Sequence, residues 1–113
     1  MKTLILNAWG QDNCLSFTLH EYTNGNLCVQ AWVHQNEFIE PYSTITVNLG
    51  IECPKGCSFI DTNNNPGIIG WLEANNLGKR TYITQVSGFC EYEMFKFNME
   101  ELEKYVHSDE RRN

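Results

Sequence analysis

Between residues 4 and 49 apolar side chains recur at every second position, the pattern of half-buried strands, and this alternation constrains the fold more than any other feature. Leu4 and Leu6 mark a first strand, and Leu15, Phe17 and Leu19 a second. Leu27, Val29, Ala31 and Val33 mark a third, and Ile45, Val47 and Leu49 a fourth. An antiparallel meander follows. The turn TNGN between the second and third strands decides their register. A two-residue loop centred on Asn24-Gly25 pairs Leu19 with Gln30 and Phe17 with Trp32, which puts the two apolar stripes on opposite faces. A three-residue loop, Thr23-Asn24-Gly25 with Gly25 left-handed, pairs Leu15 with Val33, Phe17 with Ala31 and Leu19 with Val29. Burial selects the second.

That register sets His20 beside Cys28 and Cys14 beside His34 on the opposite face. The two pairs lie six residues apart along each strand, about 20 Å at strand rise, too far for one four-ligand zinc site. Each pair alone is half a site.

The stretch FIDTNNNPGIIGWLEANNLGK opens like a calcium loop, with Asp61, Asn63 and Asn65 at alternate positions. That motif requires glycine at its sixth position and glutamate at its twelfth, where this chain has Pro66 and Leu72. The segment reads instead as a helix lead-in. Asn65 is the expected N-cap, Pro66 the first helical residue, Ile68, Ile69 and Leu72 the buried stripe, and Leu77-Gly78 the glycine close. Asp61 and the spare asparagines are expected to bond backbone amides of the turn.

Two further strands are predicted near Arg80 to Val86 and Cys90 to Phe97, interrupted at Ser87-Gly88. Asn98, with Glu101 three residues on, caps a second helix carrying Leu102 and Val106. The tail SDERRN is expected to fray. The predicted fold class is α+β: one domain over residues 1–107, with a mainly antiparallel sheet of about six strands and two helices packed on one face.

The five cysteines, Cys14, Cys28, Cys53, Cys57 and Cys90, are an odd number. The apolar run after Lys2 is too short for a signal peptide or a membrane span, so a soluble cytoplasmic protein with reduced thiols is expected. Cys53-Pro-Lys-Gly-Cys57 carries one residue more than the redox motif, and no second cysteine pair follows it to complete a zinc site. No cofactor or metal is assigned. Fourteen acidic against eight basic side chains give a net charge of -6. A phosphate backbone is therefore repelled, and direct nucleic-acid binding is not expected.

The blocks EPYSTITVNLG, CSFIDTNNNPGIIGWLEANNLG and SGFCEYEMFKFNMEEL resemble a family of short bacterial proteins of unknown function, carried on conjugative elements, plasmids and phage-like islands. The likeness spans roughly residues 2 to 105. It supplies a setting, the entry of foreign DNA into a host, and no catalytic motif. Accessory proteins of that setting include antirestriction and anti-CRISPR inhibitors of defence nucleases.

Residues 91 to 110 hold seven acidic and two basic side chains, enough to steer the chain toward a basic channel if they share a face. The leading expectation is a non-enzymatic binding protein for a protein partner, a nucleic-acid-binding defence effector. Its expected interaction residues are Glu91, Glu93, Glu100, Glu101 and Glu103, with Tyr92, Tyr105 and Trp32 as aromatic anchors. One alternative is a thiol or metal enzyme built on Cys90, which follows the glycine turn SGFC, or on one Cys/His pair. Another is a homodimer or structural subunit joined through the sheet face bearing Trp32 and Tyr42.

Overall fold

The structure is a computed structural model and describes residues 2–107. The SDERRN tail, expected to fray, lies at 108–113, outside the described residues. The described residues form two four-stranded antiparallel sheets. In chain order the elements are β1 (Leu4–Ala8), β2 (Gln11–Glu21), β3 (Leu27–Gln35), β4 (Phe38–Thr44), β5 (Thr46–Val47), β6 (Cys57–Ile60), α1 (Ile68–Ala74), β7 (Gly78–Ser87), β8 (Cys90–Phe97) and α2 (Met99–Leu102). A 3-10 turn at Glu103–Tyr105 continues α2. The first sheet runs β1-β2-β3-β4 and the second β5-β6-β8-β7. None of the described helices is long and apolar enough to cross a membrane.

The β2–β3 register is the one that burial selects. Leu15 faces Val33, Phe17 faces Ala31 and Leu19 faces Val29. Gly25 is left-handed at φ 87°, and Tyr22 and Asn26 close the three-residue loop, with Tyr22 N–H donating to the Asn26 carbonyl at 2.9 Å. The main core lies between the two sheets and α1. Leu15, Phe17, Val29, Ala31 and Val33 from the first sheet meet Ile60, Phe95 and Phe97 from the second, with Ile68 and Leu72 of α1. A smaller cluster of Cys57, Phe59 and Met94 fills the other face of the second sheet, with Val47, Leu49 and Tyr92 packed against it.

The fold departs from the expected single six-stranded sheet with two helices on one face: the described residues form eight strands in two sheets, and α1 packs into the core between them. The expected fourth strand is divided. Ile45 is fully buried in the main core, its N–H donating to the Val29 carbonyl while its own carbonyl accepts from Asp61 N–H. Val47 and Leu49 belong instead to the smaller cluster. One residue thus ties the two sheets together and interrupts the period-two stripe. β4 has no apolar alternation and contains Pro41, which an edge strand tolerates because its missing N–H takes nothing from the sheet. A bulge between Ala31 and Trp32 absorbs the irregularity.

The α1 lead-in also differs. The helix starts at Ile68, with Gly67 as N-cap in the left-handed region. Asn65 does not cap it, because its side-chain amide donates to the carbonyls of Thr44 (3.2 Å) and Asp61 (2.9 Å). This side chain fastens the turn to the end of β4, and the helix begins two residues after Pro66. Asp61 accepts from Asn64 N–H at 3.2 Å and from the Asn64 amide at 2.7 Å, the turn-bonding expected of it.

At the far end, Asn76 (φ 60°) takes the left-handed position assigned in sequence to Gly78. Leu77 N–H reaches back to the Leu72 carbonyl and Asn76 N–H to that of Glu73, a Schellman close. Gly78 opens β7 instead.

Asn98 caps α2 as expected, accepting from Glu101 N–H at 3.2 Å. The helix is shorter than the pattern suggests. Val106 leaves it for an extended conformation and forms a parallel bridge with Phe17. β1 pairs with β2 only from Gln11 to Leu15, so the edge beyond is open to this C-terminal segment. His107 N–H donates to the Phe17 carbonyl at 3.0 Å.

Candidate functional site

The acidic residues singled out in sequence sit at two ends of one strand. Glu91 and Glu93 lie in the first half of β8, while Glu100, Glu101 and Glu103 follow its end, beyond Phe97. From Glu91 to Phe97 the strand covers about 20 Å. Cations interrupt the set: Lys79 and Lys96 oppose each other across β7 and β8, and Lys104 pairs with Glu101 at 2.9 Å.

All three of the aromatics are also engaged. Trp32 is buried, its indole N–H donating to Thr18 Oγ1 at 2.8 Å and its ring lying edge-on to His107. It belongs to the interior and not to an exposed sheet face. Tyr105 is half-buried against the main core, with the Lys2 ammonium 5.6 Å over its ring. Tyr92 packs on the smaller cluster, and Cys90 beside it raises its phenol pKa, helped by burial.

Glu93 is the most constrained of these residues. It is 8% exposed and accepts from Arg80 through Nε at 3.1 Å and 3.2 Å and through Nη2 at 2.7 Å. It also accepts from Tyr82 N–H at 3.1 Å. Here β7 carries two more residues than β8, since Arg80 faces Phe95 and Thr84 faces Glu93. Tyr82 sits in the bulge at φ 62°, with the Arg80 guanidinium 4.7 Å over its ring. Thr81 Oγ1 donates to the Met94 carbonyl at 2.7 Å and accepts from Ile83 N–H at 3.1 Å. A carboxylate and a hydroxyl thus hold the bulge open.

The Arg80 hydrogen bonds hold the Glu93 carboxyl below its ordinary pKa, against the opposing effect of burial. A depressed carboxyl pKa adds stability that is fully present above the unfolded value of about 4.3 and is lost as pH falls through the native value. Glu93→Gln is therefore expected to be less stable than wild type at pH 7. It should also lose less stability on acidification from about pH 5 to pH 3. Denaturant unfolding at a series of pH values checks this, and parallel curves for the two proteins would contradict it.

Beyond the bulge, the outer half of the β7–β8 hairpin extends past its pairing with β6. β6 pairs with β8 only at Met94, Phe95 and Lys96, so the stretch from Cys90 to Glu93 has β7 as its one strand neighbour among the described residues. Along this ribbon Tyr82, Ile83, Val86 and Phe89 are exposed, Phe89 completely, at 109%. Val86 opposes Glu91, and Gly88 turns the tip at φ 64°.

The first sheet brings together a second group. Cys14 faces His34 and His20 faces Cys28, as the register implies. Between them the Ser16 hydroxyl lies 2.7 Å from His34 Nε2 and 2.8 Å from His107 Nδ1. One hydroxyl hydrogen serves one imidazole, so the other must donate to the oxygen. This serine resembles a nucleophile in its partners only, because it is fully buried in mid-strand. His107 could not have been placed from sequence. It stands 91 residues away and arrives only because the C-terminal segment fills the β2 edge.

Cys90 lies on the second sheet, whereas His20, His34 and His107 all belong to the first sheet or its edge. Burial raises the Cys53 and Cys57 thiols above their ordinary pKa, which lowers their reactivity. All five cysteines are unbridged. Among the described residues no three His, Cys, Asp or Glu side chains are grouped to hold a metal ion.

A family model described as a domain of unknown function (DUF4313) matches residues 14–111. The chain belongs to that family. No curated protein and no solved structure matches it. The DUF4313 match takes in the exposed hairpin, the Ser16 group and α1, and leaves β1 and the first residues of β2 ahead of it.

Proposed function

We propose that this DUF4313 protein is a non-enzymatic protein-binding domain whose contact surface is the outer half of the β7–β8 hairpin. The observation that carries the reading is the run of Tyr82, Ile83, Val86 and Phe89, exposed from the bulge at Arg80–Thr84 to the hairpin tip. Exposed apolar and aromatic side chains bordered by charge are the pattern of an interface centre and its rim. Glu91, exposed opposite Val86, falls within this surface, whereas Tyr92 packs on the smaller cluster. Glu100, Glu101, Glu103 and Tyr105 lie at the other end of β8 and supply long-range field rather than contact.

The partner proposed is a host defence nuclease of the restriction or CRISPR type. The resemblance to proteins of mobile elements supports this class, and the net charge of -6 favours approach to a basic nucleic-acid channel.

The test is transfer of a targeted plasmid into cells carrying a defined restriction or CRISPR nuclease, with and without this protein. Wild type is expected to raise transfer. The triple variant Ile83→Thr, Val86→Thr, Phe89→Ser is expected to lose the effect, with about hundredfold weaker binding to the purified nuclease. These side chains are exposed, so its melting temperature should stay close to that of wild type. No protection against either class of nuclease removes the anti-defence reading. Full protection by the triple variant removes the hairpin from it.

A further inference from the structure

We propose that the trough between β1 and the lead-in to α1 is a second binding site, which takes an extended, uncharged peptide segment as an added strand beside β1. The trough has a volume of about 690 Å³, within the range of sites that enclose a ligand. Five consecutive residues, Ile5 to Trp9, line one side of it. Both faces of the strand are represented in that run, so the trough follows the edge of β1 and not a face. β1 is the terminal strand of its sheet. Across from it stand Tyr42, Asn65, Pro66, Ile68 and Trp71.

One hydrogen bond reports the direction of the backbone. The Trp71 indole N–H donates to the Ile5 carbonyl at 2.8 Å, so that carbonyl points away from β2. In an antiparallel ladder the outward direction alternates by residue. Asn7 shares the parity of Ile5, and its N–H and C=O therefore open on the trough as well. The Trp71 indole already makes the bond that an incoming strand's N–H would make to Ile5. It covers one end of the edge and leaves the Asn7 end for pairing. A groove between an edge strand and a helix, with main-chain groups on one wall and apolar side chains on the other, is the geometry of strand addition.

The lining selects the occupant. It contains no Asp, Glu, Lys, Arg or His, although the chain carries a net charge of -6. A charged side chain entering the trough would lose hydration and meet no charged lining residue, the Asp12 and Asp61 carboxylates beside it being already bonded to the Asn7 and Asn64 amides. Apolar or small polar side chains meet Tyr42, Ile68, Trp71 and the Asn65 and Ser43 side chains instead. Trp9, 80% exposed in the β1–β2 turn, is also part of the lining.

The test is panning of the full-length protein against a displayed library of linear hexapeptides, followed by titration of capped synthetic peptides from the enriched sequences. Enrichment of peptides with uncharged central residues is expected, with a shift in tryptophan emission on binding, since Trp9 and Trp71 both line the trough. Asn7→Pro removes an N–H that points away from β2, a position where proline is tolerated. It should bind about tenfold more weakly, the value of one backbone hydrogen bond, while melting near wild type.

If Asn7→Pro fails to fold, Trp9→Gly replaces it. Trp9 holds φ 56°, which glycine adopts without strain, and the same weakening is expected. The hairpin triple variant should bind these peptides as wild type does, which separates this site from the proposed function. The assignment is overturned if no sequence is enriched, if the enriched peptides carry central charges, or if the folded variants bind them as tightly as wild type. It is also overturned if neutral disaccharides or nucleosides move the tryptophan emission and peptides do not.

Discussion

Gly78→Ala is expected to lower stability by about 3–5 kcal/mol, combining an overpacked contact with a left-handed backbone. Gly78 opens β7 at φ 152°, where an added Cβ would run into the Lys96 carbonyl oxygen, the Phe95 ring and Phe97 Cα. None of the three yields easily. The carbonyl and Cα are backbone of the central strand β8, and Phe95 is fully buried, edge-on to Phe97 at 5.0 Å. A domain of this size has a total stability of about 5–15 kcal/mol, so one methyl group removes a large share of it. Thermal and denaturant unfolding should both show the loss. A melting temperature within a few degrees of wild type would mean that β7 does not approach β8 this closely. Gly67→Ala, also at positive φ but with nothing within 4 Å of the added Cβ, serves as the comparison and should cost about 1–2 kcal/mol.

The second large effect is expected at Phe17, where truncation to alanine should cost about 3–5 kcal/mol. Its ring is completely buried in the main core and meets Trp71 edge-on at 6.4 Å. Its carbonyl takes the His107 N–H, and Val106 bridges beside it. A cavity at Phe17 thus loosens α1 and the C-terminal segment together. Hydrogen exchange at His107 should accelerate in Phe17→Ala along with that of the β2 amides. Protection at His107 unchanged while global stability falls would show that the C-terminal strand is held independently. Phe17→Leu retains most of the volume and is expected to lose less than half as much.

What the chain sequence disclosed, and what it did not, divides along the range of the interactions. The β2–β3 hairpin was legible because a three-residue turn with Gly25 and two apolar stripes admit one register, and a slip by one residue would expose every buried side chain. The α2 cap at Asn98 and the turn at Ser87-Gly88 were legible for the same reason: the atoms concerned lie within a few residues of each other. β4 was missed because an exposed edge strand with Pro41 needs no apolar alternation. β6 was missed because all four residues of Cys57–Ile60 are buried, and a strand buried on both faces shows no period of two.

The same distinction holds for the site residues. Acidic residues near in sequence, Glu93 and Glu100, went to different surroundings because one accepts from Arg80 at the β7 bulge and the other lies beyond the strand. The hairpin surface gave a weak signal in advance, the run TYITQV of strand-forming residues. Nothing local said that its apolar members would find no core to enter.

Local chemistry alone determined the first three strands, the β2–β3 register, the capping of the last helix and the negative charge, since each depends on the spacing of neighbouring residues or on counting them. Only the packing of one sheet on the other decided that Ile45 would join them, that His107 would reach Ser16, that Asn65 would fasten a strand instead of capping a helix, and which apolar side chains would be left outside. Burial is a property of distant segments meeting, and no short stretch of chain carries it.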